Sequence, residues 1–170
     1  MEYVFIEDSK FIFNTNFEGN PDKDKYRSAQ RKGNVRLTEE QAKDLIAKGY
    51  NVKKTKPKEG YEDEYEPQYY ISVKMKWKSE GAKSDPRVYL ISGDNSVRLD
   101  ANSVRMIDDI WVEKVNIKAN PYVNKNDGRI SLYINVMYVW QNIDEDPWAN
   151  KYGTVDAVEP DDDEIPFDVE

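Results

Sequence analysis

Apolar and polar residues alternate with a period of two along much of this chain, as strands with one buried face require. The alternation is strictest over residues 70–78. There Ile71, Val73, Met75 and Trp77 share one face, and Tyr70, Ser72, Lys74, Lys76 and Lys78 share the other. Ser79-Glu80-Gly81 opens a loop, residues 87–91 form a partner strand with Arg87 and Tyr89 on one face, and Ser92-Gly93-Asp94-Asn95 is a turn. Residues 111–119 alternate again, with Val115 and Ile117 inward and Lys114, Asn116 and Lys118 outward. The longest strand is predicted over 130–140, with Ile130, Leu132, Ile134, Val136 and Tyr138 on one face. Between these two strands, Asn120-Pro121 and Asn126-Asp127-Gly128 predict a hairpin reversal. Shorter strands are expected over 3–6, 11–13 and 50–55, and a polar, acidic excursion over 59–68.

One helix interrupts the pattern. Thr38 and Gln41 have the spacing of a capping box, Glu39 and Glu40 suit the first turn, and Gly49 is a stop. Ala42, Leu45 and Ile46 give it an apolar stripe. There is no internal repeat and no second helical segment of similar strength. Many strands with one helix predict a mostly β chain, a small antiparallel barrel or a sandwich.

Composition narrows the chemistry. The 170 residues include no Cys and no His, which removes disulfides, thiol nucleophiles, Ser-His-Asp triads and Cys- or His-ligated metal sites. The phosphate-loop, dinucleotide and nucleophile-elbow motifs are missing. The acid-x-Lys spacing of a restriction-type nuclease occurs at Asp8-Ser9-Lys10, but it precedes Pro21-Asp22, the wrong order. The expectation is a protein without enzymatic activity, cofactor or metal. No apolar run approaches the ~18 residues of a membrane span and the start is unlike a signal peptide, so a cytoplasmic protein is expected.

Charge changes the picture more. The net charge of −8 argues at first against a nucleic-acid partner. Residues 144–170, however, hold eleven acids and one base, −10, which leaves +2 for residues 1–143 and +8 within residues 23–58. A mildly basic body therefore carries a strongly acidic tail. Binding of single-stranded nucleic acid needs cations that track phosphates and aromatic faces on which bases stack. Both lie together in this body. The candidate DNA-binding set is Arg31, Lys32, Tyr50, Lys53, Lys54, Tyr70, Lys74, Lys76, Lys78, Arg87 and Tyr89. A rival of another class is an acidic DNA mimic that blocks a host enzyme, but its acids should not be concentrated at one end beside a basic stretch.

The tail run Asp161, Asp162, Asp163, Glu164, Ile165, Pro166, Phe167 resembles the acidic tip of bacterial single-stranded DNA-binding proteins. The bacterial motif ends at its Phe, whereas Asp168-Val169-Glu170 follow here. An Ile/Phe pair suits a partner's pocket and the acids suit a basic rim. The body is similar to a family of bacteriophage single-stranded DNA-binding proteins with an OB-fold. The matching stretches are Gly49-Tyr50-Asn51-Val52-Lys53, Tyr70-Ile71-Ser72-Val73-Lys74, Arg87-Val88-Tyr89-Leu90-Ile91, 112–122 with the long strand to Val139, and Asp144-Glu145-Asp146 through Lys151-Tyr152. The resemblance implies a five-stranded barrel over residues 1–152, a flexible acidic tail over 153–170, no cofactor, and sequence-independent coating of single-stranded DNA. It also implies replication or recombination proteins as partners of the tail. Oligomeric state stays open.

Overall fold

A computed structural model describes residues 2–56, 66–78 and 84–142. The strands are β1 (Val4–Ser9), β2 (Phe11–Asn16), β3 (Arg31–Leu37), β4 (Lys53–Lys54), β5 (Tyr69–Met75), β6 (Arg87–Ser92), β7 (Asn95–Leu99), β8 (Val112–Val123) and β9 (Ile130–Gln141). The helix α1 covers Glu39–Ala47, and two 3-10 turns cover Pro21–Lys23 and Val104–Asp109. The acidic tail, including Asp161, Asp162, Asp163, Glu164, Ile165, Pro166 and Phe167, lies outside the described residues, as does most of the 59–68 excursion.

The sheet order is β1-β8-β9-β5-β3-β2. β1 and β2 are halves of one strand bent at Lys10: β1 pairs with β8 and β2 with β3. The bend is held to β3, because the Lys10 carbonyl accepts from the Arg36 amide (2.9 Å) and Ser9 Oγ donates to the Arg36 carbonyl (2.6 Å). The path thus returns on itself and closes a five-stranded, OB-like barrel. Closure leaves few edges exposed. The small barrel expected from the pattern forms, and within it β5 and β6 both run parallel to β9 while the other pairings are antiparallel. β5 and β6 follow one another along a single edge of β9, while β8 covers the other edge. Inside the barrel, Ile6, Val35, Val73, Val115, Ile117, Leu132, Met137 and Val139 are buried together.

The capping box of α1 forms as expected, with Gln41 N–H donating to Thr38 Oγ1 and Thr38 N–H to Gln41 Oε1. At the other end Tyr50 N–H donates to the Leu45 carbonyl and Gly49 N–H to Ile46, with Gly49 at φ +93°. This is the paired closure in which the second residue past the helix packs back on its last turn. It carries Tyr50 into the core with Ala42 and Leu45, while Ile46 stays exposed.

The long strand departs from strict alternation. Opposite β8, Lys118 pairs with Val136 and Ala119 with Ile134, so Asn135 is the extra residue of a β-bulge. One inserted residue reverses every later side chain. Leu132 and Ile134 face inward as expected, but beyond the bulge Met137 and Val139 are buried and Val136, Tyr138 and Trp140 face outward. The placement of Val136 and Tyr138 on the inner face is therefore corrected. β8 also runs through Asn120-Pro121, past the end of β1, where an edge tolerates proline. β7 and the Val104–Asp109 turn were not expected from the pattern. Arg98 and Ser96 break the apolar run, and only Val97 and Leu99 pack inward.

Deleting Asn135 should remove the bulge and leave Met137 and Val139 inward, because the alternation through Leu132 and Ile134 then runs on unbroken. Urea unfolding followed by circular dichroism is expected to keep its cooperative transition. Loss of that transition would refute this register, since deleting a regular strand residue would turn Met137 and Val139 outward.

Candidate nucleic-acid interface

The outer wall of the barrel is set by the same alternation that fills its inside. On β3 it presents Lys32, Asn34 and Arg36, and on β5 Tyr70, Ser72 and Lys74. The register pairs Lys32 with Lys74, Asn34 with Ser72 and Arg36 with Tyr70. Lys53 of β4 stands opposite Tyr70 on the other side. On β9 Tyr133 lies beside Lys74, whose Nζ donates to Ser131 Oγ at 3.3 Å. Partial burial and then the positive charges of Lys32 and Lys53 push the Lys74 ammonium below its usual range. Positive charge is crowded here, and an anion would relieve the crowding.

Aromatic rings flank these cations. Phe13 sits at φ +65°, an unusual conformation for a bulky residue. Phe11 packs against Phe17 on the inner side, and strict alternation would send Phe13 the same way. The left-handed residue instead turns the Phe13 ring outward, 61% exposed and edge-on to Tyr70 at 5.3 Å. Further along, Tyr122 and Tyr133 meet edge to face at 6.3 Å. They line a cleft of about 360 Å³ together with Lys76, Lys78 and Ser84. Phe13, Tyr122 and Tyr133 were missing from the candidate set. A bulge of this kind leaves no signature in the alternation, so Phe13 was hidden. Tyr133 was legible as an outward residue of its strand.

The structure therefore gathers Lys53, Tyr70, Lys74, Lys76 and Lys78 on one surface, with exposed Lys54 at its border opposite Tyr69. Among the described residues none of these lysines has an ion pair. Other members of the set fall elsewhere. Tyr50 is buried at 6% exposure, and its ring is no stacking platform. Burial also pushes its hydroxyl up. Arg31 lies on the core-facing register of β3. Its Nη1 donates to the carbonyls of Phe17 (3.0 Å) and Ala101 (2.8 Å), so it ties loops together. Lys32 faces outward but is paired with Asp24 at 2.6 Å. Arg87 and Tyr89 stand farther round the wall on β6, beside Val136 and Tyr138.

The loop between β2 and β3 borders this surface and is held from beneath. The Asp108 carboxylate accepts from Thr15 Oγ1, Phe17 N–H and Glu18 N–H. Asp24 accepts from the amides of Tyr26 and Ser28. Tyr26 is thereby displayed at 78% exposure with Lys25 Nζ 5.6 Å from its ring centre. Among the described residues no group of acids could hold a metal ion, and no helix is long and apolar enough to cross a membrane.

A family model described as "Putative phage ssDNA-binding domain" matches residues 1–168. No curated protein and no solved structure matches the chain.

The Asp24–Lys32 pair gives a titration test. The hydrogen bond from Lys32, followed by the amide bonds, holds the Asp24 carboxyl below its usual 3.8. A carboxyl depressed in the folded state stabilises it above the unfolded pKa and loses that contribution as pH falls through the folded value. Loop order should thus fail below pH 3.8. In Lys32→Met the Asp24 titration should move upward, and the Tyr26 and Ser28 amides should exchange faster, both read by NMR. An unmoved Asp24 titration would contradict the pairing.

Proposed function

Because the chain belongs to the phage single-stranded DNA-binding domain family, we propose that it coats single-stranded DNA regardless of sequence during phage replication or recombination. The binding surface is the wall formed by β3, β4, β5 and the start of β9. This is the region that OB-folds use for oligonucleotides, their second and third strands with the flanking loops. The observation that carries the reading is the register that sets Lys32 opposite Lys74 and Lys53 opposite Tyr70, beside exposed rings. A phosphate at Lys74 offsets the mutual repulsion of these ammoniums. Bases then stack on Phe13, Tyr70 and Tyr133. Stacking tolerates any base because every base has a π-face. The charges track the backbone and the rings accept its bases, so no base edge has to be read.

The tail fits the same scheme. Asp161, Asp162, Asp163 and Glu164 compete with phosphates for the lysine wall when no DNA is present. When DNA displaces them, Ile165 and Phe167 become the apolar anchors for a replication or recombination protein with a basic rim.

A mobility-shift assay of the full chain on oligo-dT over a salt series tests this. Affinity should fall with salt by about 0.7 in log–log slope per neutralised phosphate. The double change Lys53→Gln, Lys74→Gln should lower that slope by about 1.4. Phe13→Ala with Tyr70→Ala should weaken binding about fivefold or more. Asp161→Asn, Asp162→Asn, Asp163→Asn, Glu164→Gln in the intact chain should tighten it. No retention of oligo-dT at low salt would overturn the reading. An unchanged slope in the lysine variant would move the DNA path off this wall.

A further inference from the structure

The bulge at Asn135 exposes a second aromatic surface, away from β3 and β5. Across β7, β6, β9 and β8 it runs Arg98, Tyr89, Tyr138, Trp140, Lys114. Tyr89 and Tyr138 are cross-strand partners, their rings stacked at 5.1 Å and 15°. Tyr138 leans on Trp140 at 6.2 Å. Arg98 lies 6.0 Å from the Tyr89 ring centre and Lys114 lies 4.6 Å from that of Trp140. Arg87, exposed, stands two residues before Tyr89 on the same face. The cross-strand partners of these rings are Arg98, Asn116, Lys114 and Ile91, none of them acidic. The carboxylate of Asp8, 3.6 Å from Lys114, belongs to an exposed bulge residue at the margin. Tyr138 itself is 41% exposed. A core explanation fails for it, since its neighbours Met137 and Val139 fill the inside.

We propose that this ribbon is a second binding surface for the same single strand, taking bases by stacking and phosphates by Arg87, Arg98 and Lys114. The inference rests on the reading above and extends its path. Tyr133 at the lysine wall and Tyr138 on the ribbon are five residues apart on one strand, about 16 Å. A strand leaving the wall along β9 therefore meets the ribbon next. The charge of the ribbon favours a polyanion over an apolar protein segment. The hairpin β6–β7, which joins β5 to β8 through the Val104–Asp109 turn, supplies half of its side chains.

The test compares two dT oligonucleotides on the full chain, one of about 6 and one of about 16 nucleotides, within the range that one OB-fold occupies. Tyr138→Ala with Trp140→Ala should weaken the longer oligonucleotide about fivefold or more and leave the shorter one unchanged. Tyr138→Phe should bind both as wild type does. Arg98→Gln with Lys114→Gln, both at partly or fully exposed side chains, guards against a folding defect. It should lower the salt slope for the longer strand by about 1.4 and leave the shorter one unchanged. If the variants bind the longer oligonucleotide as wild type does, the ribbon is not a DNA surface and the proposal fails. If both lengths weaken equally in every variant, the ribbon has no separate role and the proposal fails. If the shorter strand binds with a salt slope that Lys53→Gln with Lys74→Gln lowers, the lysine wall stands whatever the ribbon does. If wild type binds neither length, both readings fall.

Discussion

Closure of the barrel by one bent strand sets what every other residue can do. Residues 4–16 pair with β8 through their first half and with β3 through their second, and the Lys10 carbonyl anchors the bend. Once the ring is closed, each strand has an inside and an outside and no choice between them. Val35, Val73, Val115 and Val139 then fill the interior. Lys74, Tyr70 and Arg36 are left on the wall because their neighbours are inside. The proposed binding surface is the other half of the packing, and the same residue spacing builds both.

The local exceptions to that spacing are where the proposed surfaces acquire their aromatic rings. Three bulges matter: one turns Phe13 outward beside Tyr70, one at Asp8 meets Lys114, and one at Asn135 turns Tyr138 and Trp140 outward. Bulges re-aim side chains without breaking a barrel. The positive-φ cost at Phe13 places an aromatic ring in water. That cost is intelligible if the ring has a partner to stack on. The charges follow a similar division. Asp24 and Asp108 hold the loops from within, and the lysines they leave unpaired stand on the wall.

Much of this was legible from residue order. The alternation of 70–78 placed Lys74 and Tyr70 outward, and the Thr38–Gln41 box placed α1 correctly. What was not legible depended on shifts of one residue. The alternation predicts Tyr138 inward because nothing in Ile-Asn-Val-Met-Tyr marks Asn135 as an inserted residue; the mismatch exists only against β8. The inward placement of Tyr50 is legible in the sequence. A residue that follows a glycine stop packs back on the helix, and Tyr50 does so on Leu45. Arg31 and Lys32 read as a basic pair, yet alternation sends them to opposite faces, one to bind carbonyls and the other to Asp24. The parallel pairing of β5 with β9 could not be read at all, since it joins segments far apart in the chain.

The most direct measurement is an NMR titration of the full, isotope-labelled chain with oligo-dT. The central claim is that the barrel's outer wall, and not its helix or its ends, takes the strand. Amide shifts are predicted to cluster at Lys53, Tyr70, Lys74 and Tyr133, with the amides of α1 unmoved. Shifts confined to α1, or no shifts at low salt, would contradict the account.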